Sequence, residues 1–426
     1  MMTELFLGVV ADDFTGASDA ASFLVAAGIK TVLFNGVPRD CPQLSEETEA
    51  VVVALKTRTM PKQQAVSESM EAFRWLKRMG ARQLYLKYCS TFDSTAEGNI
   101  GPVADAVLEE YGIPYTLLCP SLPVNGRTVR NGNLYVNGVL LEESHMKDHP
   151  LTPMRDSYLP RLMEAQSKYP VYPVTLGQKD SPMVPAGSRC YLVPDYYEEE
   201  HGDQIAEAYG DLPFLTGGSG LVGALGRRYR RRKGQQAQEN DSQSRQKPQP
   251  SVKDCAEGRS VLFAGSCSAV TLQQIAWFQE KKFPTFCIDP KELLSDETVE
   301  DRIWSWIQQT GSDGLVYSSA SPEGLQESQK LGRERVAQAL EQLFSRLAIR
   351  AVEEGCERII VAGGETSGAV TKALGYKAFY IGESVAPGVP VMTPVENPKI
   401  RLVLKSGNFG TEDFFERALD MTRRKV

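Results

Sequence analysis

A chain of 426 residues exceeds the usual size of a single hydrophobic core, so two domains are expected. Apolar residues at 42% and charged residues at 24% describe an ordinary soluble globular protein. A formal net charge of −7 argues against nucleic acid and anionic membrane as partners.

The first apolar run, Leu5 to Val10, is too short for a signal core or a spanning helix, and acids follow it directly. The eight cysteines are scattered with no C-x-x-C pair, so a reducing cytoplasm fits better than a disulfide framework. His145 and His149 have i, i+4 spacing, but Pro150 and polar neighbours surround them and no further ligands are at hand. No metal site is expected there.

Leu5–Val10 predicts a strand, and Ala17–Ala27 follows with helical apolar spacing. Thr31–Phe34 and Ala50–Leu55 are the next strands. A helix near Gln64–Met79 then leads to the strand Gln83–Lys87, and one near Pro102–Tyr111 leads to the strand Tyr115–Cys119. Arg227 to Lys233 is strongly basic and reads as the solvated end of a helix starting near Leu221, where cations favour the C-terminus. From there to Gly258 the chain is polar and nearly free of large apolar residues, which predicts an exposed linker. Patterning resumes with the strand Ser260–Ala264, a helix near Thr271–Lys281, and the strands Thr285–Ile288 and Gly314–Tyr317. A long helix, Val336–Glu354, then feeds the strand Arg358–Ala362, and Arg401–Leu404 is the last strand. The expected boundaries are a first domain at 1–233, a linker at 234–258 and a second domain at 259–426. Strand–helix alternation implies an α/β fold in which each domain has a mostly parallel sheet flanked by helices. Such sheets bind ligands beyond the carboxyl ends of their strands.

The first strand end carries Ala11-Asp12-Asp13-Phe14-Thr15-Gly16. A helix N-cap accounts for one acid; the second, with Thr15 and Gly16, suggests that ligand hydroxyls are held. Lys56-Thr57-Arg58 follows another strand, and Arg58 has the fork for a carboxylate. Lys87-Tyr88-Cys89-Ser90-Thr91-Phe92-Asp93-Ser94 follows a third, combining a cation, an acid and hydroxyls suited to a polyol acid. Pro120 to Thr128 is a fourth polar loop of this kind. The second half differs in character. Gly265-Ser266-Cys267-Ser268, Gly363-Gly364-Glu365-Thr366-Ser367-Gly368 and Lys405-Ser406-Gly407-Asn408 each follow a strand. Glycine lets backbone N–H groups approach an anion, so these loops suit phosphates, although none is a Walker A sequence. Thr216-Gly217-Gly218-Ser219-Gly220 is a further glycine loop, placed to contact phosphate or simply to open the last helix of the first domain.

Taken in order, these motifs resemble the four-carbon acid sugar kinase family across nearly the whole chain. The form Lys87-Tyr88-Cys89-Ser90-Thr91-Phe92-Asp93 resembles its 3-oxo-tetronate kinase branch. The resemblance implies an N-terminal sugar-acid domain, a C-terminal nucleotide domain and a ligand cleft between them. It implies transfer of the ATP γ-phosphate, with Mg2+, to the terminal hydroxyl of a four-carbon acid. Carried onto this sequence, Asp12, Asp13, Arg58, Lys87 and Asp93 form the expected acid-substrate site. Ser266, Ser268, Gly363, Gly364, Glu365, Thr366, Gly407 and Asn408 form the expected ATP site. In the phosphoryl-transfer chemistry, Arg58 or Lys87 holds the substrate carboxylate, and Asp13, or failing that Asp12 or Asp93, takes the hydroxyl proton. A D-threonate or D-erythronate kinase, and a non-catalytic sensor of the same architecture, remain the alternatives. A homodimer is expected from its frequency among soluble enzymes. The chain departs from the family pattern between about Val171 and Pro213, where it reads shorter and more irregular than a full helix–strand unit.

Overall fold

The computed structural model describes residues 5–39, 44–148, 152–175, 188–240, 255–318 and 332–423. The chain divides into two compact units, Met1–Pro248 and Gln249–Val426.

Unit 1 begins with β1 (Leu5–Ala11), α1 (Phe14–Ala26), β2 (Thr31–Asn35), β3 (Ala50–Ala54), α2 (Lys62–Arg78) and β4 (Ala81–Lys87). It continues with α3 (Ile100–Glu110), β5 (Tyr115–Cys119) and a small antiparallel ribbon of β6 (Arg127–Arg130), β7 (Asn133–Val136) and β8 (Val139–Leu140). The remaining elements are α4 (Leu159–Glu164), β9 (Val171–Val174), β10 (Cys190–Pro194), α5 (Glu199–Tyr209), β11 (Phe214–Gly217) and α6 (Ser219–Asn240). The main sheet has the order β2-β3-β1-β4-β11-β5-β10-β9, and every pairing in it is parallel. β1 and β3 are buried almost throughout instead of alternating, because helices cover both sheet faces. From β1 the chain fills β2 and β3 on one side and then crosses to β4 on the other. The strand order therefore reverses at β1, and a crevice opens there beyond the strand ends.

Unit 2 contains β12 (Arg259–Ala264), α7 (Ala269–Glu280), β13 (Thr285–Cys287), α8 (Pro290–Ser295), α9 (Val299–Thr310) and β14 (Gly314–Tyr317). It closes with α10 (Arg333–Glu353), β15 (Cys356–Ala362), α11 (Gly364–Leu374), β16 (Ala378–Ala386), β17 (Val389–Pro394), β18 (Arg401–Lys405) and α12 (Phe414–Thr422). Its order is β13-β14-β12-β15-β18-β17-β16, parallel up to β18 and antiparallel in the last two pairings. Leu262, Ile360 and Val403 from adjacent strands pack with Phe278 of α7 and with Phe414 and Phe415 of α12 in one core cluster.

Two expectations change. The basic run is not a solvated helix end, since α6 continues to Asn240 and the run lies in its middle. Asp203 and Glu207 of α5 recur every four residues, as do Arg227 and Arg231 of α6, so the facing helices interlock by charge. Arg227 bonds Asp203 at 2.9 Å, Arg231 bonds Glu207 at 3.0 Å, and the buried Arg228 reaches Asp211 at 2.5 Å. Arg230 and Lys233 both bind Glu49, at 2.5 and 2.8 Å. Secondly, the region from Val171 to Pro213 contains a strand–strand–helix succession, β9, β10 and α5, where the sequence predicts an irregular stretch. The Gly177–Pro185 stretch within it lies outside the described residues, as do His149 and residues 241–254 of the expected linker. Among the described residues no helix is long and apolar enough to cross a membrane.

Candidate functional site

The reversal point of unit 1 gathers the ends of β1, β3 and β4, and three of the polar motifs meet there. Backbone bonds lock the first two together, for Thr57 N and Arg58 N both donate to Asp12 O, at 3.0 and 3.3 Å. This register aims the Arg58 side chain at the acids. Its Nε donates to Asp12 Oδ2 and its Nη2 to Asp12 Oδ1, both at 2.8 Å, in a bidentate fork. Nη2 also lies 3.0 Å from Asp13 Oδ1, and Nη1 lies 3.8 Å from Asp93 Oδ2. One guanidinium thus stands among three carboxylates.

Each acid is held differently. Asp13 is the N-cap of α1, and its Oδ1 accepts from Gly16 N at 2.7 Å. Asp93 sits in a loop that turns through two left-handed residues, Phe92 at φ 64° and Asp93 itself at φ 36°. Such conformations cost about 1–3 kcal/mol each. Burial of Phe92, which packs edge-on against Tyr88 at 5.9 Å, offsets that strain, and Thr91 Oγ1 donates to Asp93 Oδ1 at 2.6 Å. Asn99 fixes the opposite wall, its Nδ2 donating to the carbonyls of Thr57 and Met60 at 2.7 and 2.8 Å. A small pocket open to solvent is lined by Asp12, Thr57, Arg58, Tyr88, Asp93 and Asn99, among others.

Burial raises the Asp12 carboxyl above its ordinary range, with Arg58 pulling the other way. One cation shared by three acids leaves the cluster short of positive charge, which argues in the same direction. Burial works against the Arg58 cation too, but Asp12 and Asp13 outweigh it and its pKa rises well above the usual value.

Lys87 is placed otherwise. Its ammonium is buried, donates to Tyr88 O at 3.0 Å and faces Asp19 Oδ2 at 3.8 Å. Asp19 in turn accepts from Ser219 Oγ at 2.5 Å, and burial raises its carboxyl above the ordinary range. From the sequence, the substrate carboxylate falls to Arg58 or Lys87. In the structure the Arg58 fork is taken by Asp12 and the Lys87 ammonium is turned inward, so neither cation presents its full set of donors to a ligand. Neither Asp13 nor Lys87 lines the pocket itself. The Pro120–Thr128 loop turns into the β6–β8 ribbon, and the Thr216–Gly220 loop supplies Ser219 to Asp19.

In unit 2 the three glycine loops leave the ends of β12, β15 and β18, which are adjacent in the sheet. Ser268 caps α7 by accepting from Thr271 N at 3.2 Å and donates to Gly407 O at 2.7 Å. A Cβ on Gly407 would lie 2.5 Å from Ser266 Oγ and 3.0 Å from Ser268 Oγ, so a side chain there would crowd the contact between the first and third loops. Gly363 adopts φ 127° and places its N–H on Lys405 O at 2.9 Å. Gly364, Glu365 and Thr366 open α11, whose start has no side-chain cap, and Thr366 is buried against Gly265. Uncapped N–H groups at a helix start favour an anion. Asn408 is exposed beside them. Sequence reasoning passes over Lys405, Asn99 and Asp19, all inside or beside the motifs quoted above, because nothing in a motif tells a buried polar group from an exposed one.

Comparison with known proteins adds two domain families and a set of relatives. Residues 7–225 match the model of a sugar-binding N-terminal domain, and residues 261–415 match that of a nucleotide-binding C-terminal domain. A 3-oxo-tetronate kinase of Salmonella typhimurium is 45% identical, with 97% of this chain and 98% of that protein covered. One of Brucella melitensis is 42% identical, covering 97% and 95%. A solved structure from Salmonella typhimurium superposes with a TM-score of 0.85 at 42% identity, over 98% of this chain and 99% of that one. Another from Haemophilus influenzae gives 0.80 at 40%, over 97% and 99%.

Proposed function

The chain belongs to the four-carbon acid sugar kinase family of the 3-oxo-tetronate kinases, and we propose that it transfers the γ-phosphate of ATP to the terminal hydroxyl of 3-oxo-tetronate, giving the 4-phosphate. The observation that carries this reading is the identity of 45% and 42% to two such kinases over 97% of the chain. The sites support it chemically, with acids and a guanidinium that suit a polyhydroxy acid in unit 1 and phosphate-type loops in unit 2.

Phosphoryl transfer has a loose transition state, so catalysis asks mainly for alignment and charge neutralisation. Asp13 is the acid best placed to orient the acceptor hydroxyl and take its proton. Both Asp12 oxygens are engaged by Arg58, and Asp93 gives Oδ1 to Thr91 and keeps Oδ2 3.8 Å from Arg58 Nη1. Asp13 keeps one oxygen without a bond to any described residue, and its side chain is 32% exposed against 11% for each of the others. Asp12 acts through Arg58, fixing the guanidinium so that its Nη1 edge meets the substrate carboxylate. In unit 2 the backbone N–H groups of Gly364 to Thr366 and of Asn408 hold the nucleotide phosphates, and Ser266 and Ser268 shape their loop. Among the described residues no group of three or more His, Cys, Asp or Glu could hold a metal ion. Mg2+ borne on the nucleotide phosphates asks the protein for only one or two carboxylates and would supply charge neutralisation there.

An ADP-release assay over a panel of four-carbon acids tests the reading. ADP is expected most rapidly with 3-oxo-tetronate; preference for threonate or erythronate would move the substrate, and no ADP with any acid would overturn kinase activity.

A further inference from the structure

Lys405, the last residue of β18, has 0% of its surface exposed. Among the described residues no carboxylate lies within ion-pairing distance of it. Its ammonium donates instead to Thr271 Oγ1 at 3.1 Å, Ser406 O at 3.2 Å and Gly407 O at 3.0 Å. It also faces the ring of Phe414, 5.6 Å from the centroid. A buried cation without a counter-ion is costly. Methionine would fill the same space without that cost, so the ammonium does something an apolar group would not.

The Gly407 carbonyl shows what that is. It accepts from Lys405, from Ser268 Oγ at 2.7 Å and from Thr271 Oγ1 at 3.0 Å, so donors from β18 and α7 converge on one oxygen. The following peptide is trans, which sets its N–H opposite its carbonyl. With the carbonyl drawn inward, the Asn408 N–H points away from Lys405, and it has no partner among the described residues. The proton count also matters. With Ser268 Oγ and Thr271 Oγ1 both donating to Gly407 O, Thr271 accepts from Lys405. That arrangement calls on three N–H donors, which the ammonium has; the neutral amine has two, and could keep Thr271 only by accepting its proton and so taking it from Gly407 O.

We propose that Lys405 is a positioning residue of the nucleotide site, whose ammonium draws the Gly407 carbonyl inward and thereby holds the Asn408 backbone N–H outward as a phosphate donor. This rests on the reading of unit 2 as the nucleotide-binding unit. The groups facing the ammonium are Thr271 of α7, the carbonyls of its own loop and Phe414 of α12, none of them charged or titratable. Burial pushes the Lys405 pKa down to about 7. The third N–H is accordingly lost as the pH rises past neutrality, and the loop loosens. Global stability moves the other way. The folded pKa lies below the ordinary lysine value of 10.5, so between the two the unfolded chain binds more protons and stability rises with pH. Weaker nucleotide binding in that window is not unfolding.

The test is calorimetric titration of the full chain with MgADP between about pH 6 and pH 9, on the wild type, Lys405→Met and Thr271→Val. Wild-type affinity should fall roughly tenfold across the window relative to Lys405→Met, the loss of one charge-assisted bond. Lys405→Met should already bind weakly at the acid end, and Thr271→Val should weaken binding in the same direction. The KM for the sugar acid should stay unchanged in all three. Equal affinity of wild type and Lys405→Met at the acid end, parallel pH dependence in both, or a sugar-acid KM that moves with that for ATP would overturn the proposal. If the wild type binds no MgADP at any pH, the nucleotide reading is what fails. Hydrogen exchange of the 405–410 amides then decides Lys405: protection at acid pH that Lys405→Met abolishes supports the loop-holding role, and equal exchange in both refutes it.

Discussion

Asp12 and Asp13 are neighbours in sequence, and the proposed mechanism gives them opposite roles according to which of their oxygens are already bonded. Asp13→Asn leaves the cap on α1 an acceptor but removes the base, so kcat should fall by about 10²–10⁴ with little change in the KM for the sugar acid. Asp12→Asn keeps the base but leaves Arg58 half-paired in a buried cluster. It should lower stability by about 3 kcal/mol and raise that KM, as denaturant melts and initial rates would show. Near-normal turnover of Asp13→Asn would remove it from the catalytic role. The motif Ala11 to Gly16 marks both acids as candidates by sequence alone. It does not show that Arg58, forty-six residues on, spends its fork on Asp12, because that pairing depends on the register of β1 against β3. The inward turn of Lys87 is hidden for the same reason.

At the scale of elements, the strands Tyr115–Cys119 and Gly314–Tyr317 are legible to the residue, since buried parallel strands form short unbroken apolar runs bounded by turns. The β6–β8 ribbon and the β16–β17 hairpin are not. The ribbon strands are short and mixed in polarity, while β16 is broken by Gly382-Glu383-Ser384 and β17 carries Pro390 and Pro394, which argue against a paired strand. The loop after β15 carries a sharper consequence. Gly363 at φ 127° has backbone space closed to a side chain, and a Cβ there would sit 3.1 Å from Ser266 N. Gly363→Ala should cost about 1–3 kcal/mol. It should raise the KM for ATP without moving that for the sugar acid, and equal effects on both substrates would show that the loop belongs to neither site in particular.

At the scale of the molecule, two units with separate cores should melt as two transitions, because each buries its own apolar faces. A ligand stabilises only the unit that binds it, by about 2.7 kcal/mol at a hundredfold excess over Kd. Scanning calorimetry should therefore show MgADP raising one transition and the sugar acid the other. A single transition raised by either ligand alone would contradict independent sites. The division into two α/β halves is readable from the polar stretch after Lys233, whereas the helix that carries the basic run on to Asn240 is not, since its arginines bind acids remote in sequence.

The crowding of Asp12, Asp13 and Asp93 around one guanidinium also sets a proton inventory for the substrate. A sugar acid arriving as an anion adds a fourth negative charge beside a carboxyl, Asp12, whose proton affinity is already raised. Binding should therefore draw a proton from the solvent. The heat of sugar-acid binding would then differ between buffers of high and low ionisation enthalpy, and affinity would increase as the solution is made more acid until the ligand itself becomes neutral.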